Sequence, residues 1–186
     1  MRIIVTGTSG GVGGAVAAAA RASGHEVIEL NRAQFESPEP LVEAAGIDAV
    51  VFATGCCPVR PLGRTTDEVL AETVKVNCGY FLRLVRELVS CRRFSPEGMK
   101  VVAVSSVSAT EGWAGGAAYC ASKGALSALC RALDAELAGK GISVSALEPR
   151  YIRTRMFETG AARMGVPSSE AEDPADFAAD VLRLLV

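Results

Sequence analysis

Histidine and tryptophan each occur once in this chain of 186 residues. With a single imidazole, a zinc site of the histidine–cysteine kind is not expected, and no metal is assigned. Cysteine is better represented, but Cys56, Cys57, Cys78, Cys91, Cys120 and Cys130 show no C-x-x-C spacing and sit in apolar stretches. The adjacent Cys56 and Cys57 cannot bridge each other without strain. All six are expected to be reduced thiols that pack as small hydrophobes. Charge of one sign is scarce too: 19 Lys and Arg stand against 21 Asp and Glu, with no block of like charge. Nothing there announces a nucleic-acid surface. Apolar runs such as Ala15–Ala20 and Ile47–Thr54 fall well short of the ~20 residues that span a bilayer. The N-terminus offers Arg2 and a short apolar strand that runs straight into glycines, without the longer apolar core of a secretory signal. A soluble, cytoplasmic protein without membrane contact is expected.

What the chain has in quantity is small and apolar. Hydrophobic residues make 49% and charged residues 22%, a balance that excludes disorder. The 19 Gly and 8 Pro follow no short period, which excludes collagen-like and mucin-like chains. The length suits a single domain over residues 1–186.

Strand and helix signals alternate. Strands are expected at Arg2–Val5, Glu26–Leu30, Asp48–Phe52, Lys100–Ser105 and Ile142–Leu147, with a stub near Gln34–Phe35. Helices are expected at Val12–Ala22, Glu39–Ala45, Asp67–Arg92, Ala117–Ala138 and from Asp173 to Leu185, where Asp173 caps and Pro174 opens the helix. This alternation predicts a three-layer α/β/α, Rossmann-like, doubly wound parallel sheet of about six strands.

The turn between the first strand and first helix is rich in glycine. A helix N-terminus offers unpaired N–H groups and positive partial charge, and glycines let a phosphate approach the backbone. Gly7, Gly11 and Gly13 fit G-x-x-x-G-x-G; Gly7, Gly10 and Gly13 fit G-x-x-G-x-x-G equally well. Position favours a dinucleotide pyrophosphate, bound by Gly7, Thr8, Ser9, Gly10, Gly11, Val12 and Gly13. After the second strand stand Asn31 and Arg32 rather than an acid. A guanidinium there suits the 2′-phosphate of NADP, with NAD the alternative.

Tyr119 and Lys123, four residues apart on an expected helix, project from one face. A free tyrosine titrates near 10 and is a poor base at neutral pH; a neighbouring ammonium would lower that value. Ser106 lies thirteen residues upstream of Tyr119, just past a strand end, at the sheet edge where open α/β folds bind ligands.

Taken together, Thr6-Gly7-Thr8-Ser9-Gly10-Gly11-Val12-Gly13, Asn77, Ser106 and Tyr119-Cys120-Ala121-Ser122-Lys123 resemble the short-chain dehydrogenase/reductase family. The order and separations match over about residues 1–155, and Pro149 and Thr154 echo that family's segment near the nicotinamide amide. The resemblance implies an oxidoreductase that moves hydride between NADP(H) and a small carbonyl or alcohol. In it Tyr119 exchanges the proton, and Lys123 holds the nicotinamide ribose and depresses the tyrosine pKa. Ser106 polarises the substrate oxygen, and Asn77 helps hold a relay water. Ala53, Thr54, Gly55, Pro149, Ile152 and Thr154 join the cofactor contacts. A homodimer through the helices carrying Asn77 and Tyr119 is implied as well.

Four departures stand out. Phe52-Ala53-Thr54-Gly55 replaces the usual Asn-Asn-Ala-Gly, and Arg150 replaces the glycine after Pro149. The stretch Asn31–Gly46 is too short for the usual third strand and its helix, and the final strand is missing. These motivate a second reading, a dinucleotide-binding sensor or regulator with little turnover. An epimerase of the extended relatives fits the other glycine spacing but needs a larger C-terminal region. Trp113 is a candidate for the substrate pocket, and Met156 with Phe157 for a lid. Substrate identity is not legible.

Overall fold

Strands covered on both faces are apolar along their buried length, as in β3 (Ala49–Phe52), buried throughout, and at Ile3 to Val5 of β1 (Arg2–Thr6). With β2 (Glu26–Leu30), β4 (Met99–Val104) and β5 (Ile142–Leu147) they form one parallel sheet in the order β2-β1-β3-β4-β5. The computed structural model describes residues 1–161 and 165–186. Alternation along the strands sorts the core into two faces. Ile3, Val5, Ala49, Val51 and Val102 pack against α1 (Gly11–Ala22) and α7 (Pro174–Leu185). Ile4, Val50, Phe52, Val101 and Ala103 pack on the other side, against α4 (Tyr80–Ser90) and α5 (Ala117–Leu137). The doubly wound fold is therefore present, and the strand order reverses about β1 and β3, which puts the ligand crevice at their C-terminal ends.

The sheet has five strands, because Gln34–Phe35 lies in a short helix, α2 (Arg32–Glu36). Asn31 closes a capping box with Gln34, and the Phe35 ring stacks on Tyr80 at 4.8 Å, so local capping and burial win over extension. Glu39–Ala45 is likewise not helical. Its Leu41 and Val42 N–H groups donate to Glu87 Oε1 of α4, at 2.7 and 3.1 Å, instead of to helix carbonyls. The expected long helix from Asp67 is divided: α3 (Asp67–Val74) passes through a π turn, Lys75–Gly79, into α4. Asp173 caps α7 as expected, accepting from Ala175 N at 2.9 Å. Among the described residues, no helix is long and apolar enough to cross a membrane.

Candidate active site

The end of β1 turns sharply at Gly7, whose φ of +70° suits glycine. A Cβ on Gly7 would stand 2.7 Å from Ala53 O, and one on Gly13 2.5 Å from Gly7 O. At Gly11 a Cβ would meet Thr154 Cγ2 at 2.5 Å. Backbone atoms close Gly7 and Gly13, which both spacings share; of the two that differ, Gly11 is the tighter, against the Thr154 side chain, while Gly10 has only Gly7 O, at 3.3 Å. No side chain among the described residues caps α1 at Gly10, so its first-turn N–H groups are left for a ligand.

Thr6, fully buried at the last position of β1, fastens the neighbouring strand end. Its Oγ1 accepts from Ala53 N and Thr54 N, both at 3.1 Å, and from Thr54 Oγ1 at 2.8 Å. Two residues beyond Thr54, at Cys56, Asn77 of the π turn takes over. Its Oδ1 accepts from Cys56 N at 2.7 Å, while Nδ2 donates to Cys56 O at 2.9 Å and to Ser122 Oγ at 2.8 Å. The Asn77 side chain is thereby committed to holding the Ala53–Cys56 loop against α5.

Ser106 follows β4 as the cap of a 3₁₀ turn, its Oγ accepting from Ser108 N at 3.1 Å. Tyr119 and Lys123 sit on the first turns of α5, with Lys123 Nζ 5.7 Å from the centroid of the Tyr119 ring. Lys123 is only 5% exposed and donates to Val104 O at 2.7 Å. Burial brings its pKa down to about 8, with the nearby Cys57 acting in the opposite sense. Tyr119 differs from the expected acidified phenol. Burial, followed by Cys57, pushes its pKa well above the ordinary value, and hydrogen bonding with Ser106 works the other way. Desolvation of the ring outweighs that hydrogen bond.

The lysine gives a stability prediction. An unfolded lysine titrates near 10.4, above the folded value of about 8. Between these the folded chain binds fewer protons, so stability rises with pH and the penalty is largest below about pH 8. Relative to Lys123→Met, the parent protein is expected to gain about 3 kcal/mol between about pH 7 and pH 11. Paired urea titrations across that range check it; a level difference would mean the ammonium is well solvated.

Glycine turn, serine, tyrosine and lysine all line one cavity of about 830 Å³. Thr8 alone among the expected cofactor contacts is outside its wall. Asn77 lies behind the wall too, reaching it through Cys56. Trp113 is part of the wall; its Nε1 donates to Ser108 Oγ at 3.1 Å and its ring lies 6.4 Å from that of Tyr119. Met156 and Phe157 also line it, on α6 (Arg155–Thr159), which Thr154 caps through Phe157 N. At the far end Asn31 caps α2, and Arg32 Nε pairs with Glu36 at 2.8 Å while its Nη2 pairs with Glu72. Arg150 pairs with Glu111 at 2.9 Å, both half-exposed on the rim.

Sequence reasoning passed over the polar groups behind the site. Ser105 Oγ lies 2.8 Å from Ser127 Oγ, which donates to Glu148 Oε1 at 2.7 Å. Ser122 donates to Tyr119 O at 2.7 Å while accepting from Asn77. Ser122 and Ser127 sit at i and i+5 of one helix, a spacing with no signature. Thr6 did carry a signal, as a hydroxyl ending an apolar strand beside the glycine turn.

A family model described as "Enoyl-(Acyl carrier protein) reductase" matches residues 1–175. The 3-oxoacyl-[acyl-carrier-protein] reductase FabG of Rickettsia felis is 28% identical over 177 residues, covering 82% of this chain and 73% of that protein. The vibriobactin-specific 2,3-dihydro-2,3-dihydroxybenzoate dehydrogenase of Vibrio cholerae is 30% identical over 159 residues, covering 77% and 60%. Among solved structures, a 4-hydroxyisoleucine dehydrogenase mutant complexed with NADH and succinate superposes with a TM-score of 0.84 at 22% identity, covering 100% of this chain and 91% of that one. A variant of actinorhodin polyketide ketoreductase with NADPH gives 0.80 at 20%, covering 100% and 90%. At those identities the two structures speak for the fold.

Proposed function

This chain belongs to the short-chain dehydrogenase/reductase family, and from that premise we propose an NADP(H)-preferring oxidoreductase that interconverts a carbonyl and an alcohol on a small substrate. The observation that carries the reading is the convergence of Ser106, Tyr119 and Lys123 with the glycine turn on one cavity. The residues present fit a dinucleotide: the turn excludes side chains at Gly7 and Gly13, is tight at Gly11, and α1 begins without a side-chain cap. In this reading Gly7 to Gly13, with Thr8 and Ser9, hold the pyrophosphate, and Asn31 and Arg32 meet the adenosine ribose. Ala53, Thr54 and Gly55 flank the nucleotide, while Pro149, Ile152 and Thr154 hold the nicotinamide amide. The nicotinamide supplies or accepts the hydride.

The chain's own residues manage the proton. Tyr119 gives it to the carbonyl oxygen in reduction and takes it from the alcohol in oxidation. A pKa pushed upward by burial keeps the phenol protonated at neutral pH, the state a donor needs. The Ser106 hydroxyl donates to the same substrate oxygen and polarises it. Lys123 orients the ribose hydroxyls, and Asn77 fixes the loop under it, with a relay water on its main chain. Six unpaired cysteines support a reducing, cytoplasmic setting. The common sheet of all five strands supports one domain over residues 1–186. A homodimer through α4 and α5 completes the reading, checked by light scattering at micromolar concentration.

Two measurements test the function. NADPH oxidation across a panel of ketones and aldehydes should reveal turnover. Binding of NADPH with no turnover on any of them would move the reading to a sensor or regulator, which the short Asn31–Gly46 stretch favours. Arg32→Ala is expected to weaken NADP⁺ binding by about ten- to a hundredfold, the worth of a charge-assisted phosphate contact, and to leave NAD⁺ nearly unchanged. Calorimetric titration decides it: an unaltered NADP⁺ constant would leave Arg32 to its partners Glu36 and Glu72.

A further inference from the structure

Arg150 stands where the family's glycine would be, and the reading above gives it nothing to do. Its place in the fold is fixed from both sides. Val107 N donates to Pro149 O at 3.1 Å, so the peptide leading into Arg150 is tied to the residue after Ser106. Arg150 therefore belongs to the substrate-oxygen end of the cavity, away from Arg32. Its guanidinium spends one contact, Nη2 to Glu111 Oε1 at 2.9 Å, with the two side chains 57% and 52% exposed. Such a pairing is weak and screened, and another carboxylate can replace it. Arg155 lines the same cavity but follows Thr154, which packs against Gly11 of the glycine turn. Arg150 thus faces one carboxylate at this end of a cavity whose apolar wall includes Trp113, Met156 and Phe157.

We propose that the substrate is a carbonyl or hydroxy compound bearing a carboxylate, and that Arg150 selects it. The incoming carboxylate exchanges with Glu111 for the planar donors of Arg150. Its carbonyl oxygen is then left for Ser106 and Tyr119. The proposal rests on the oxidoreductase reading, and it replaces a glycine that makes no charge contact with a residue that discriminates by charge.

The chain's one tryptophan, Trp113, lines this cavity and reports binding without turnover. Its fluorescence is titrated, with and without saturating NADP⁺, against acetoacetate, levulinate and the methyl ester of each. A ketone with NADP⁺ forms a dead-end pair, so binding is read alone. At one chain length at least, the acid is expected to bind about ten- to a hundredfold more tightly than its ester. Arg150→Gln should bring acid and ester level while the NADP⁺ constant stays put. Glu111→Gln, which frees the arginine, should tighten the acid several-fold. Equal affinities for every acid and ester, or a preference that survives Arg150→Gln, overturns the proposal. So does a parallel loss of NADP⁺ affinity in Arg150→Gln, which would assign the arginine to the cofactor phosphates. Loss of the NADP⁺ signal in the parent protein strikes instead at the oxidoreductase reading, and the acid–ester comparison made without nucleotide still judges the arginine.

Discussion

Tyr119→Phe is expected to lower NADPH-dependent carbonyl reduction by about a hundred- to ten-thousandfold, the usual worth of a positioned proton donor. The substitution keeps the ring and its packing, 6.4 Å from Trp113 and 5.7 Å from Lys123 Nζ. Only the hydroxyl goes, so stability and NADP⁺ affinity should stay close to those of the parent. Steady-state rates read together with a calorimetric cofactor titration separate the two effects. Full activity in the phenylalanine variant would remove Tyr119 from the chemistry. A rate loss accompanied by lost cofactor binding would point to a distorted site instead.

Asn77→Leu is expected to cost about 3–5 kcal/mol of stability, read by urea unfolding. Leucine matches asparagine in shape but can satisfy none of its three partners: Cys56 N, Cys56 O and Ser122 Oγ. Asn77 is fully buried, so no water within the packed wall replaces them, and each group left unpaired costs about 1–3 kcal/mol. Ser122→Ala removes one of the three contacts and should cost about 1 kcal/mol. A loss near that smaller value for Asn77→Leu would show that the Ala53–Cys56 loop stands without the amide. The prediction treats Asn77 as a clamp, which the sequence did not suggest.

The fold was legible where hydrophobic periodicity was long and punctuated. Ile3 to Val5, Val50 to Phe52 and Val101 to Val104 are unbroken apolar runs, and each became a central strand. The failures lie where a side chain from elsewhere decides the backbone. Glu87 reaches across from α4 to take the N–H groups of Leu41 and Val42, and no local pattern announces that. Gln34–Phe35 reads as a strand by composition, yet Asn31 three residues earlier begins a helix. At the site, Gly7, Ser106, Tyr119 and Lys123 could be picked out because their spacing survives in one dimension. The direction of the Tyr119 pKa could not, because it depends on how deeply the ring is buried and on Cys57, far away in sequence.

The π turn at Lys75–Gly79 carries a consequence for how this chain can vary in length. A π turn holds one residue more than an α-helix needs there. Deleting a single residue within it would give one regular helix and leave α3 and α4 close to their present register, while drawing the widened turn in. Phe81 and Leu84 would keep their places in the core, but Asn77, inside the turn, would take an ordinary helical direction and swing away from Cys56. Surface loops in such a fold can gain and lose residues freely. This stretch of helix cannot: its count of residues is as fixed as the identity of the asparagine inside it.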